Sequence, residues 1–304
     1  MSEERRQLID EILRLKQERD AIILAHNYQI PEVQDIADMV GDSLALARAA
    51  TKVPQSVIVL CGVRFMAESA AILSPSKTVL LPAKDAGCPM ADMVDAESLL
   101  RKRAEYPDAA VVCYVNSSAE VKAVSDICCT SANAVRVVSS VKERRVIFVP
   151  DCNLASYVAA RVDKEVIPWP GYCPTHHRLN ARDVTNARAA HPNALVLVHP
   201  EVRPEVAQLA DFIGSTSQII EFASKSPATE MIIGTEMGTL HKLYKDNPGK
   251  KFYLLSPRLI CPNMKRTTLA LIRDSLATLE PRVTVDEDVR RRAARALERM
   301  VEIG

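Results

Sequence analysis

Three cysteines, each followed by proline, stand at Cys88-Pro89, Cys173-Pro174 and Cys261-Pro262, spaced by 85 and then 88 residues. A thiolate is a metal ligand, so three cysteines at one position of a repeat are candidates to converge on a single metal centre. About sixty residues before each lies a matched block: LAHNYQIPEVQDIADMVGDS (24–43), VCYVNSSAEVKAVSDICCTS (112–131) and LVHPEVRPEVAQLADFIGST (197–216). Aligned without gaps, the blocks superpose His26, Tyr114 and His199, then Tyr28, Asn116 and Glu201, and close on Ser43, Ser131 and Thr216. A phenol, an amide and a carboxylate at one position of a common frame suit proton transfer and hydrogen bonding around one substrate. Singly, a serine before a helix reads as a cap and a histidine after a strand as a satisfied core group. Three aligned polar triples are not explained that way.

The elements that must position these residues read as three α/β units. Apolar runs such as AIIL (21–24), SVIVL (56–60) and TVLLP (78–82) show no alternation, as expected of parallel strands buried on both faces. Matching runs recur at AAVVCYV, RVIFV and EVIPW, and again at ALVLV, EMIIG and KFYLL. Helical stretches lie between them, and strand–helix alternation predicts parallel sheets covered by helices. The junction YPDAAVV (106–112) returns as HPNALVL (191–197), so boundaries are expected near 107 and 192. The units are then 1–106 with an N-terminal helix, 107–191, and 192–304 with a C-terminal helix. In each block a helix is expected at Pro31, Ala119 or Pro204, and Ser43, Ser131 and Thr216 read as N-caps or first-turn residues. Ligands of parallel sheets gather at the carboxyl ends of strands, where these residues fall. Helix N-termini pointed inward from three units would suit a small polyanion.

Each of the three cysteines is expected past the third strand of its unit. Zinc held there would want a fourth ligand, and His176 or His177 is placed to supply one. A [4Fe–4S] cluster on three cysteines would leave one iron open as a Lewis acid. Cys61, Cys113, Cys128, Cys129 and Cys152 lack the repeat position and read as small buried hydrophobes.

Bulk properties narrow the class. Lys+Arg number 39 against 38 Asp+Glu, for a net charge of +1, so nucleic acid is not an expected partner. No apolar run approaches eighteen residues, and the charged start MSEERRQLIDEILRLKQERD lacks the core of a signal peptide. Neither a membrane nor secretion is expected. Eight cysteines that include adjacent Cys128-Cys129 fit a reducing cytoplasm better than a disulfide framework.

The motifs AHNYQIPEVQDIADMVGDS, YVNSSAEVKAVSDICCTSAN, GYCPTHH, HPE, GSTSQII and ICPNMKRTT resemble those of the quinolinate synthases, over about residues 20–275. The resemblance implies three similar α/β/α domains with parallel sheets around a pseudo-threefold axis, one cluster cysteine per domain. It implies condensation of iminosuccinate (iminoaspartate) with dihydroxyacetone phosphate to quinolinate in NAD biosynthesis, releasing phosphate and water. L-aspartate oxidase is the implied protein partner. Carried over motif by motif, Cys88, Cys173 and Cys261 would hold a [4Fe–4S] cluster with one open iron. His26, Ser43, Tyr114, Asn116, Ser131, His199, Glu201 and Thr216 would bind substrate. Tyr28 and Glu201 would transfer protons, with His199 beside them as a further catalytic group. Leu255, Ser256 and Arg258 stand where some members carry additional cysteines, so a disulfide switch there has no basis. A reductive dehydroxylase with three domains and three cysteines would lack a use for the His-Asn-Tyr and His-Pro-Glu blocks. A cluster-based sensor would not need Tyr28 and Glu201.

Overall fold

In the computed structural model, which describes residues 3–303, twelve strands form three separate four-stranded sheets. The first holds β1 (Ala21–His26), β2 (Met39–Gly41), β3 (Val57–Cys61) and β4 (Thr78–Leu80) in the order β2-β1-β3-β4. The second holds β5 (Ala109–Tyr114), β6 (Ile127–Cys129), β7 (Arg145–Val149) and β8 (Glu165–Pro168) in the order β6-β5-β7-β8. The third holds β9 (Leu195–Val198), β10 (Phe212–Ile213), β11 (Glu230–Gly234) and β12 (Lys251–Leu254) in the order β10-β9-β11-β12. Every pairing is parallel. The three similar α/β units are therefore present, with one correction: each has four strands, and its cysteine follows the fourth.

The strand missed in each unit is the short second one, at most three residues long, too brief to register as an apolar run. An aspartate fixes it. Asp38, Asp126 and Asp211 occupy one repeat position, and each carboxylate accepts the backbone N–H of the unit's first strand, at Ile23, Val111 and Val196 (2.7–2.8 Å). Each also pairs with a cation from the preceding helix: Lys16, Arg103 or Arg188.

Strands without alternation should be buried on both faces, and the inner strands are, whereas β8 and β12 at the sheet edges are only partly buried. In the third sheet, Val196, Val198 and Ile232 pack into one apolar layer, while Leu197, Met231 and Ile233 pack into another. Helices begin where expected, at Pro31, Ala119 and Pro204. The first and second units share one continuous core. The last two helices do not pack on the third sheet that precedes them. Leu269–Thr278 lies against the N-terminal helix Glu3–Glu18, burying Ile272 and Leu276 beside Ile12 and Leu15. Glu287–Ile303 lies against β6 and the helices Ala119–Ala123 and Arg64–Leu73.

Asp126→Ala would leave the buried Val111 N–H without its acceptor. It is expected to lower stability by about 1–3 kcal/mol, read as a lower urea midpoint. Asp126→Asn, which keeps an acceptor oxygen, should lose less.

Candidate active site

The carboxyl ends of the first strands of all three units open into one cavity, about 680 Å³ of non-atom space partly continuous with solvent. All the polar triples line it: His26, Tyr28, Ser43, Tyr114, Asn116, Ser131, His199, Glu201 and Thr216. So do Cys88, Cys173 and Cys261, while the other five cysteines do not.

The loops that carry the triples are folded by their own histidines. Tyr28 N–H donates to His26 Nδ1 (3.1 Å), and Glu201 N–H donates to His199 Nδ1 (3.3 Å). This bond makes Nδ1 an acceptor in each ring and leaves the proton on Nε2. His199 Nε2–H then points to Ser131 Oγ (3.1 Å).

The helix starts decide between the two readings of Ser43 and Thr216, caps or first-turn residues, in favour of the second. Asp42, not Ser43, caps helix Ser43–Lys52, and Ser215, not Thr216, caps helix Thr216–Lys225. Ser43 and Thr216 are first-turn residues, and Ser131 lies before helix Ala134–Ser140, whose cap position is Asn133. Because the preceding residue does the capping, the hydroxyls of Ser43 and Thr216 are free to face the cavity.

Glu201 sits at the centre, 3% exposed. Its Oε1 accepts from Tyr114 OH (2.7 Å), and its Oε2 lies 2.7 Å from His176 Nδ1. Burial alone would raise this carboxyl. His199 and His176, with hydrogen bonds from His176 and Tyr114, outweigh it and lower the pKa to about 2. From His176 a chain of hydrogen bonds continues: Nε2 to Thr235 Oγ1 (3.0 Å), Thr235 Oγ1 to Tyr28 OH (2.7 Å), and Tyr28 OH to Thr216 Oγ1 (2.9 Å). Burial and the Glu201 charge hold Tyr28 and Tyr114 well above the usual phenol range, so both are protonated donors at neutral pH. Burial lowers His199 to about 3 and His26 to about 4, so both rings are neutral. Asn116 Oδ1 is buried without a partner, an acceptor left for a guest in the cavity.

His176 and Thr235 were not among the expected site residues. His176 was considered only as a zinc ligand beside His177, and the structure separates the two. His177 stacks on Tyr172 (4.2 Å) outside the cavity, whereas His176 stacks on His199 (4.8 Å) inside it. The ligand atoms of Cys173, His176 and Glu201 lie within 4.8 Å of one another.

The three cysteine loops share one geometry. Each sulfur accepts a backbone N–H from three residues on, at Ala91, His176 and Met264. Proline at the intervening first position begins the turn and has no N–H of its own to satisfy. Burial outweighs these bonds and keeps all three thiols protonated in the absence of metal, Cys88 at about 12. Cys61, Cys128 and Cys129 are buried and shifted upward by burial, as expected of core thiols. Cys113 differs: burial raises it, but a Cys128 hydrogen bond and the buried Lys122 ammonium bring it down to about 7.

Comparison with known proteins decides the family. The family model described as Quinolinate synthetase A protein matches residues 10–302. The chain belongs to this family. Among its relatives, the quinolinate synthase of Alkaliphilus metalliredigens (strain QYMF) is 60% identical over 297 residues, covering 97% of this chain and 98% of the relative. Those of Methanoregula boonei and Geobacter metallireducens are each 59% identical, over 296 and 293 residues, covering 97% and 96% of this chain and 98% and 96% of the relative. The family assignment thus spans all three sheets and every residue of the cavity.

The neutral His26 ring carries a testable consequence. Its pKa is 6.5 unfolded and about 4 folded, so between these values the unfolded chain binds more protons. This contribution to stability is therefore intact above about pH 6.5 and is lost as pH falls toward 4. Protonation would also break the Tyr28 N–H to Nδ1 bond. For the metal-free protein, acidification from pH 7 to 5 should cost on the order of 1–2 kcal/mol through His26. His26→Gln should melt with a visibly shallower pH slope over that range. An unchanged slope would show that another group sets it.

Proposed function

We propose that this chain is a quinolinate synthase that condenses iminosuccinate with dihydroxyacetone phosphate, releasing phosphate and water, in de novo NAD biosynthesis. Family membership supports the activity, and the carrying observation is that the three repeat cysteines line one cavity with the polar triples. The donor set fits a [4Fe–4S] cluster. Cys88, Cys173 and Cys261 come one from each unit, each already accepting a backbone N–H, and no fourth cysteine lines the cavity. When bound, such a cluster supplies a Lewis-acidic iron to an oxygen of the substrate.

The chain's own residues supply binding and proton transfer. His199 Nε2–H, the hydroxyls of Ser43 and Ser131, and Asn116 suit the carboxylates and phosphate of the two substrates. His26 belongs to the same wall. Glu201, ionised, is the base; Tyr28, protonated, is the acid. A proton taken at Glu201 can reach Tyr28 through His176 and Thr235, each step being a hydrogen bond of 3.0 Å or less. The condensation needs protons removed from carbon and delivered to departing oxygen, and this pairing provides both. An iminosuccinate supply implies an aspartate-oxidising partner, for which L-aspartate oxidase is our candidate, and the cytoplasm is the proposed compartment. No described helix is long and apolar enough to cross a membrane. We propose unit boundaries near 107 and 192.

A second reading has one observation in its favour: Cys173, His176 and Glu201 are close enough to hold a single ion. It would leave Cys88 and Cys261 without a function and would occupy the base. Metal analysis separates the two. Anaerobically purified protein should carry about four irons and four sulfides per chain on the cluster reading, and one ion on the other.

Changing Cys88, Cys173 or Cys261 to Ala should abolish the brown chromophore, and Cys113→Ala should retain it. Iron retained by all three single variants would overturn the ligand assignment. Glu201→Gln should keep its iron and lose roughly a hundredfold to ten-thousandfold in single-turnover quinolinate formation under argon. Parental rates would exclude Glu201 as the base.

A further inference from the structure

The loops bearing the three cysteines are held by a clasp that also obeys the repeat. Two residues before each cysteine, a backbone carbonyl accepts an N–H from just past the unit's third strand. The pairs are Arg64 N–H to Ala86 (2.8 Å), Cys152 N–H to Gly171 (2.8 Å) and Met237 N–H to Leu259 (2.9 Å). At Gly171 the approach is so close that a Cβ would lie 2.5 Å from the Pro150 carbonyl oxygen.

One residue earlier, the repeat breaks. Asp151 and Glu236 occupy the position filled by Val63 in the first unit. Both acids are fully buried, a placement that costs stability unless every oxygen finds a donor. Each spends one oxygen on its own turn and the other on a cysteine. Asp151 Oδ1 caps helix Cys152–Ala159 at Leu154 N–H (2.6 Å), and its Oδ2 accepts Cys173 N–H (3.0 Å). Glu236 Oε2 accepts Gly238 N–H (2.7 Å), and its Oε1 accepts Cys261 N–H (3.1 Å), with Lys265 as counter-charge at 2.9 Å. The Cys88 loop has no such acid. Instead, Asn263 of the third unit donates its side-chain N–H to the Gly87 carbonyl (2.9 Å), from two residues past Cys261.

We propose that Asp151 and Glu236 are positioning residues, which fix the Cys173 and Cys261 loops in their ligand-bearing form before metal arrives, and that the Cys88 loop takes its position from the Cys261 loop through Asn263. The inference rests on the reading of these cysteines as ligands. Its consequence is directional. Loosening the Glu236 clasp disturbs two cysteine loops, while loosening the Asp151 clasp leaves the Cys261 loop in place.

The clean variant is Asp151→Ser. Serine caps a helix as well as aspartate, so the Leu154 bond survives, but it has no second oxygen for Cys173. In the reduced, metal-free protein, amide hydrogen exchange around Cys173 should accelerate roughly fivefold to a hundredfold, the effect of leaving that N–H without its acceptor. Exchange around Cys261 should match the parent, as should the melting temperature within a few degrees. Glu236→Gln, which cannot offer acceptors to both N–H groups, should accelerate exchange around Cys261 and also around Gly87 and Cys88. In the loaded proteins, both variants should surrender iron to a ferrous chelator about tenfold faster than the parent. Parental exchange around Cys173 in Asp151→Ser, with parental iron release, would overturn the proposal. So would acceleration around Cys261 without any around Cys88 in Glu236→Gln. A parent that binds no iron would instead defeat the ligand reading, and the metal-free exchange result would stand apart from it.

Discussion

Glu201 carries a carboxylate into the middle of the protein, and the arrangement around it is what keeps that charge tolerable. A buried ionised group demands donors at both oxygens. Its own unit does not supply the two closest ones; Tyr114 and His176 come from the second unit. His176 must in turn be held, and Thr235 of the third unit and Tyr28 of the first complete the chain. The hydrogen-bond network around this charge thus draws on all three units. Around one buried carboxylate the cavity's protonation is set: an anion at Glu201, neutral rings at His199 and His26, and phenols held as acids.

The repeat explains how such a site is built from ordinary parts. Frame positions are the same in all three units: the aspartate that pins the short strand, the backbone clasp before each cysteine, and the N–H to each sulfur. Function sits where the frame permits change. The position at the carboxyl end of the first strand takes His, Tyr and His, because any side chain there emerges at a strand end into shared space. The first and third units use histidine to fold the loop through Nδ1. The second has Tyr114 instead, whose reach delivers a hydroxyl to Glu201.

Much of this was legible in the sequence because buried parallel strands and fixed repeat offsets leave direct marks. Unalternating apolar runs located nine of the twelve strands, and the offsets grouped Cys88, Cys173 and Cys261 with the polar triples. The remainder failed for physical reasons. β2, β6 and β10 are shorter than any periodicity, and only Asp38, Asp126 and Asp211 betray them. The sequence left open whether Ser43 and Thr216 were caps or first-turn residues, because a cap and the residue after it can both be serine or threonine; Asp42 and Ser215 take the bond. His176 and Thr235 act across units, and local pattern says nothing about which strand ends will meet. The two C-terminal helices pack by apolar faces whose partners lie some 150–270 residues away in sequence.

The proposed ligand role of the three cysteines would require a frame that is strong before metal is present. Burial keeps their thiols neutral, and a metal would have to displace those protons to gain thiolate ligands. A loop free to wander would add an ordering cost to that deprotonation. Here the N–H groups that favour thiolate are already aimed at each sulfur by a proline-initiated turn. The turn is tied to the sheet by the backbone clasp, and Gly171 permits its closest approach. The same closeness recurs across units, where a Cβ at Gly238 would lie 2.8 Å from the Tyr28 backbone. Tyr28 and the third cysteine loop therefore rest on one packed seam, with Lys265 bonded both to the Tyr28 carbonyl and to Glu236. The groups proposed for acid–base work and those proposed to bind metal share their supports, so a displacement at that seam would reach both at once.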